Sequence, residues 1–200
     1  MIRASLVSFL ALTALSACGH APPDQVNDAC LILEDNRSWW RALQRTEERW
    51  GTPPGVQLAI LKRESSFNAH ARPARNRLLG IIPGRRPSSA YGYAQALDDT
   101  WDWYRRDTGR RGADRDDFSD AVDFVGWYSA KSRQLSGIQP YQARELYLSY
   151  HEGHGGYNRG TYRRHDWLMR AADQVAADAQ RYENQISRCE RRLSRRFGLF

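Results

Sequence analysis

Lysine is nearly missing from this chain: Lys62 and Lys131 are all it has, and arginine supplies the rest of its 30 basic residues. The arginines are spread along the sequence rather than gathered in one place, and no nucleic-acid-binding motif accompanies them. That pattern argues against a polynucleotide partner. Runs of alternating apolar and polar residues long enough for strands are also missing, as are internal repeats. The sustained apolar stretch, Leu6 to Leu15, is too short to cross a bilayer. What is present is enough for one folded domain. The chain has 200 residues, 41% of them hydrophobic, with 7 Trp and 10 Tyr, which suits a substantial core and excludes a disordered chain. The formal charge of +7 leaves polyanions of other kinds as partners, such as an anionic membrane face or an acidic wall polymer.

The N-terminus is more specific. Arg3 precedes the apolar stretch and Leu15-Ser16-Ala17-Cys18 closes it, the order of a cleaved export signal. This ending resembles a bacterial lipoprotein signal. The resemblance implies removal of residues 1–17, lipid on Cys18 and, with Gly19 next, sorting to the outer membrane facing the periplasm. Such a protein is anchored to a membrane and does not span it. A plain export signal with a coincidental cysteine is the alternative. Export would leave Cys30 and Cys189 as an even pair in an oxidising compartment, where a disulfide is expected. Cys30 opens a helical segment containing Leu33, Trp40, Leu43 and Trp50. Cys189 continues a stripe through Leu168, Ala172, Val175, Ala179, Tyr182 and Ile186 that steps by three and four. A bridge between them would close a very long loop, with a chain-entropy ceiling of about 5 kcal/mol. Two buried free thiols are the alternative.

Between these ends the sequence reads as helices with punctuation. A helical pattern runs from about Gln25 to Trp50, and Gly51–Gly55 breaks it with prolines suited to the next helix start. Further helices are expected over Val56–Ser66, Asp98–Arg106 and Phe118–Gln134. Another should begin at Pro140 and be interrupted by "HEGHGGYNRG", and a long last one should run from about Tyr162 to Arg191. Arg72–Tyr91, rich in Pro, Gly and Arg, is expected to be irregular or to hold a short β-ribbon. The expectation is a mainly α protein with one domain over 27–192, preceded by a tether at 18–26 and followed by a tail at 193–200.

Glu64 is the first residue that invites a chemical question. On a wheel of about 100° per residue it falls inside the apolar arc of Val56–Phe67, with Lys62 pointing to the opposite side. A carboxyl at the end of a buried face is partly desolvated, which raises its pKa and suits it to act as a general acid. Spacing alone does not separate that role from an ordinary solvated or paired carboxylate.

Three stretches together sharpen it. Glu64-Ser65-Ser66-Phe67 resembles the Glu-Ser motif that opens the active site of family 23 lytic transglycosylases, relatives of goose-type lysozyme. Tyr91–Trp101 resembles their Gly-Leu-Met-Gln-x-x-Pro-x-Thr stretch: Gly92, Gln95 and Thr100 match, whereas Tyr93, Ala94 and Asp98 depart. Tyr147–Tyr157 resembles their Ala-Tyr-Asn-x-Gly motif, with Tyr150 and Gly153 matching, Ser149 for the Ala and His151 for the Asn. Order and spacing agree over about Pro53 to Tyr162. The resemblance implies a lysozyme-like helical domain that cuts the β-1,4 bond between N-acetylmuramic acid and N-acetylglucosamine in peptidoglycan. It implies a 1,6-anhydro product, no cofactor and no metal. Carried over, Glu64 is the single acid/base and Ser65 orients acetamido groups or the carboxyl. Gln95 lines the cleft, and Tyr150 hydrogen-bonds near Glu64 or the sugar. His151 replaces the family's amide donor, and Tyr93 either stacks on a sugar or fills the wall. A lipid-anchored monomer working on glycan strands is the implied whole.

Other readings of the same residues remain. Glu152 beside His151 would allow a two-carboxylate lysozyme-like hydrolase with Glu64, which needs carboxyls roughly 6.5–9.5 Å apart. His151-Glu152-Gly153-His154 is one residue short of the zinc-protease spacing, and Gly153 weakens its helix; His165 would be the third ligand. Gly153–Gly160 reads as a tight loop rather than a phosphate cradle, since no strand precedes it. Trp39, Trp40, Trp101, Trp103, Trp127 and Trp167 are candidate sugar platforms, most of them expected in the core. A catalytically silent wall-binding lipoprotein on the same fold is the non-enzyme alternative.

Overall fold

The computed structural model describes residues 21–75, 77–78, 82–84 and 86–194. The expected signal segment 1–17, the Cys18 lipidation site and tail residues 195–200 lie outside them. Seven α-helices are present among the described residues: α1 Ala29–Asp35, α2 Arg37–Trp50, α3 Pro54–Ser65, α4 Asp98–Thr108, α5 Phe118–Ser136, α6 Ala143–Arg159 and α7 Asp166–Leu193. A 3₁₀ turn, Thr161–Arg164, joins α6 to α7. Strands β1 (Arg77–Leu78) and β2 (Ile82–Pro83) pair antiparallel, Arg77 with Pro83 and Leu78 with Ile82. This is the ribbon expected in the Arg72–Tyr91 segment.

Helix α3 runs through the centre. Pro54 starts it, where a missing N–H costs nothing, and Pro54 to Leu61 are all buried. The single apolar arc expected from the wheel is therefore a correction: the helix is enclosed on nearly every side, and Glu64 meets the surface because the helix ends there. Gln57 is polar yet fully buried. Its Nε2 donates to the carbonyls of Leu43 in α2 (3.1 Å) and Thr52 in the loop after it (2.7 Å).

Long α7 lies along α3. Lys62 Nζ donates to Asp178 Oδ2 at 2.7 Å, and Glu183 accepts the N–H of Gly55 at 2.5 Å. Burial alone would raise the Asp178 carboxyl, but Lys62, Arg181 and Gln174 hold it below the ordinary value. Its contribution to stability is thus present above the unfolded-state pKa and lost as pH falls through the folded one. On the other flank, buried Asp123 of α5 accepts from Trp50 Nε1 (2.9 Å) and the Tyr104 hydroxyl (2.7 Å), tying α2 and α4 to α5.

The first expected helix is two. Asn36, at φ −125° and ψ 67°, separates α1 from α2. Asp28 caps α1 by accepting from the N–H of Cys30 (2.9 Å) and Leu31 (3.1 Å). Cys30 and Cys189 are joined as a disulfide with Cα atoms 6.0 Å apart, fixing α1 to the far end of α7. The expected interruption of α6 is present but confined to one residue: Gly153, whose φ 70° and ψ 158° belong to glycine almost alone, kinks the chain, and helical turns resume through Arg159. The helix begins at Ala143 rather than Pro140, and α7 begins at Asp166 rather than near Tyr162.

Candidate active site

Glu64 is the penultimate residue of α3, and the chain leaving it is bent hard. Ser66 and Phe67 both have positive φ, at 50° and 61°. Each such non-glycine residue costs on the order of 1–3 kcal/mol and persists only where surrounding structure demands it. Here the demand is packing: Phe67 is fully buried with its ring 6.0 Å from Trp39. The two left-handed residues turn the chain sharply, seat Phe67 inside, and leave Glu64 half-buried at a helix end.

The facing wall is the Gly92–Gln95 turn, closed by the Tyr91–Ala96 bridge. Gly92 has φ 78°, and a Cβ there would lie 2.0 Å from the Arg115 carbonyl oxygen. Its N–H donates to the carbonyl of Ala71 at 3.0 Å, on the loop that leaves α3. Gln95 is also left-handed, at φ 48°. Its Nε2 donates to the carbonyls of Ala71 (2.9 Å) and Gly92 (2.8 Å), binding the turn to the same loop. Gly92→Ala should therefore cost more than about 2 kcal/mol in urea denaturation. A loss below about 0.5 kcal/mol would mean that the wall has another support.

Helix α6 closes the third side. The Tyr147 hydroxyl and Arg63 lie beside the Glu64 carboxyl, and both favour its charged form. The buried Tyr150 hydroxyl donates instead to the carbonyl of Ala94 at 2.5 Å, joining α6 to the wall turn. Burial, then the nearby Glu64 charge, raises the Tyr150 phenol well above its ordinary value. For Glu64 the balance runs the other way from an exposed acid. Burial raises its carboxyl, the Tyr147 hydrogen bond and the Arg63 charge lower it, and burial wins, leaving it at about 7.

The Transglycosylase SLT domain matches residues 6–189. The chain belongs to the SLT transglycosylase family. No curated protein matched it. Membership makes it a transglycosylase-type protein acting on peptidoglycan in the cell envelope, on the lysozyme-like helical fold. Among the described residues no helix is long and apolar enough to cross a membrane.

Within this SLT domain the residues singled out in the sequence divide. Gln95 and Tyr150 hold the same turn, through Ala71 and Gly92 and through Ala94, and Tyr150 lies near Glu64. Ser65, next to Glu64, turns its Oγ back to donate to the Leu61 carbonyl of its own helix at 3.2 Å. Tyr93 does not offer a face to a sugar: it is buried, edge-on to Trp39 (5.7 Å) and Phe118 (5.5 Å), and fills the wall. Tyr150 gives its hydroxyl to Ala94, so the contact expected between it and Glu64 is made by Tyr147. Tyr147 and Arg63 were missed as site residues, although Tyr147 stands three residues before Tyr150 on the same helical stripe.

The break at Gly153 sends the two histidines apart. His154 Nε2 lies 3.1 Å from Ser132 Oγ, with its ring stacked on Tyr128 at 4.5 Å. His151 lies edge-on to Trp167, its Nδ1 3.6 Å from Glu152 Oε1. The other oxygen of Glu152 accepts from the Thr161 hydroxyl. No group of three metal-ligating side chains occurs among the described residues. Glu152 is thus occupied by the turn after α6 and by His151.

Proposed function

We propose that this SLT protein is a lytic transglycosylase in which Glu64 is the single acid/base. The observation that carries the reading is the place of Glu64, half-buried at the end of α3 beside Tyr147 and Tyr150 of α6, where burial lifts its carboxyl to about 7. Protonated Glu64 gives its proton to the oxygen between C1 of N-acetylmuramic acid and O4 of N-acetylglucosamine. The C1–O bond breaks with its electron pair on O4, leaving a 4-hydroxyl. The acetamido oxygen of the same muramic residue bonds to the electron-poor C1, so no second carboxylate is required. Glu64, now a carboxylate, takes the proton of the muramic 6-hydroxyl as O6 bonds to C1 and displaces the acetamido oxygen. The products are a free 4-hydroxyl end and a 1,6-anhydro ring. Water is not consumed, and Glu64 is returned protonated.

Supporting residues fit these steps. Tyr147 and Arg63 stabilise the carboxylate that exists between the two proton transfers. Both protons of the Gln95 amide are given to Ala71 and Gly92, so its oxygen is what it offers an acetamido N–H. Ser65 retains acceptor lone pairs while donating to Leu61. In the cell the reading includes a lipid anchor at Cys18, placement on the outer membrane facing the periplasm, and a monomer acting on glycan strands.

Digesting purified peptidoglycan and weighing the fragments tests this. Muropeptides with 1,6-anhydro ends support the proposal, whereas reducing ends identify a hydrolase and intact glycan a silent binder. The alkaline limb of the pH profile follows from the same carboxyl: cleavage should fall as pH rises above about 7, because proton donation needs the neutral form. Tyr147→Phe removes a bond that stabilises the charged form, so Glu64 should hold its proton to higher pH. The alkaline fall-off in rate should then move upward by roughly half a unit or more. An unmoved fall-off would limit Tyr147 to packing.

A further inference from the structure

The tryptophans divide by burial. Trp39, Trp40, Trp101 and Trp127 are in the core, Trp50 and Trp103 are half-buried, and Trp167 is 48% exposed. Trp167 opens the first turn of α7, its ring 5.0 Å from the His151 imidazole at 79° and 6.3 Å from His165. An edge-on imidazole supports the indole and leaves an apolar plane facing water, where nothing in the fold uses it.

Its place relative to the acid follows from helix geometry. His151 is four residues beyond Tyr147, hence on the same face of α6 and about 6 Å further along the axis. Tyr147 is the residue that reaches Glu64. The exposed indole therefore packs on a residue one turn of α6 beyond the tyrosine that acts on the acid. The imidazole is steadied from behind by Glu152, which the Thr161 hydroxyl holds in turn. Tyr141, the other strongly exposed aromatic at 70%, lies ten residues back along the chain. That places it about 15 Å from His151, near the start of α6.

We propose that Trp167 and His151 form a glycan subsite adjoining Glu64, in which the indole takes the apolar face of an N-acetylhexosamine ring and the imidazole hydrogen-bonds its acetamido or hydroxyl groups. A β-1,4-linked hexosamine carries its polar groups around the rim and presents C–H bonds above and below. A rigid indole plane matches that face, and an imidazole supplies a donor or an acceptor at its edge. The subsite rests on the peptidoglycan reading above but concerns binding rather than proton transfer.

The test uses stem-free tetrasaccharides of alternating N-acetylglucosamine and N-acetylmuramic acid, beside the same glycan carrying peptide stems. Trp167→Ala should lower kcat/KM on the stem-free glycan about tenfold, mainly through KM, whereas Trp167→Phe should stay within about threefold of wild type. Adding Trp167→Ala to a Glu64→Gln background should weaken stem-free tetrasaccharide binding by a similar factor, with unchanged circular dichroism. An unchanged KM and affinity, or a loss confined to stem-bearing glycan, overturns the subsite. Full cleavage by Glu64→Gln alone would overturn the acid/base reading instead, and the binding comparison would still decide the role of Trp167.

Discussion

Glu64→Gln should slow glycan cleavage by about a thousandfold or more, because one side chain performs both proton transfers and a general acid or base alone contributes on the order of 10²–10⁴. The same substitution should stabilise the fold at alkaline pH. A carboxyl whose folded value is about 7 binds its proton more tightly when folded than when unfolded. Folding stability therefore falls as pH rises from about 4.5 to about 7, and the penalty persists above that. Gln carries no charge to bury. The variant should be more stable than wild type by about 2–3 kcal/mol at pH 8 and nearly equal to it at pH 4. Urea denaturation at the two pH values, with a cleavage assay on the same preparations, checks both halves. Inactivity with loss of fold would say nothing for proton transfer; inactivity with a gain in stability at pH 8 is the combination that belongs to a buried acid.

The second large effect is on the scaffold. Replacing both Cys30 and Cys189 by Ser should cost about 3–5 kcal/mol, because their bridge spans 159 positions and constrains nearly the whole unfolded chain. Using the double variant avoids a stray thiol. The loss should appear first where α1 meets the last turns of α7, since Ala29 N–H donates to Gln185 Oε1 and the Tyr182 hydroxyl donates to the Val26 carbonyl at the same junction. Denaturation midpoints of oxidised wild type and the double variant give the difference directly. A change under about 1 kcal/mol would mean that packing of α1 against α7 already holds that end.

Why some of this was legible in the sequence, and some not, can be traced to particular residues. The long stripe from Leu168 to Cys189 advances by three and four residues and placed both α7 and its cysteine correctly, since helical periodicity is a local property. The ribbon in Arg72–Tyr91 was anticipated from its turn-forming residues. The order of Glu64, the Gly92–Gln95 turn and Tyr150 indicated one cleft. Errors arose where tertiary context decides. Helix α3 is apolar on almost all sides, so a wheel that seeks one buried arc finds one whether or not it exists. The break at Gly153 is real, but its extent was not legible, because a single residue in a glycine-specific conformation lets helical turns resume on either side. Tyr93 stayed open between platform and wall because aromatic residues suit both sugars and cores; only the surrounding Trp39 and Phe118 decide for the wall. Tyr147 was not singled out because nothing local distinguishes it from Tyr150. Their roles separate only when Ala94 takes the Tyr150 hydroxyl and Tyr147 is left facing the acid.

The most direct measurement is a ¹³C NMR titration of the Glu64 carboxyl, assigned by difference against Glu64→Gln. The account predicts a midpoint near 7, well above the 4.5 of an ordinary glutamate. A midpoint near 4.5 would mean an ionised Glu64 at neutral pH and would contradict its role as the proton donor.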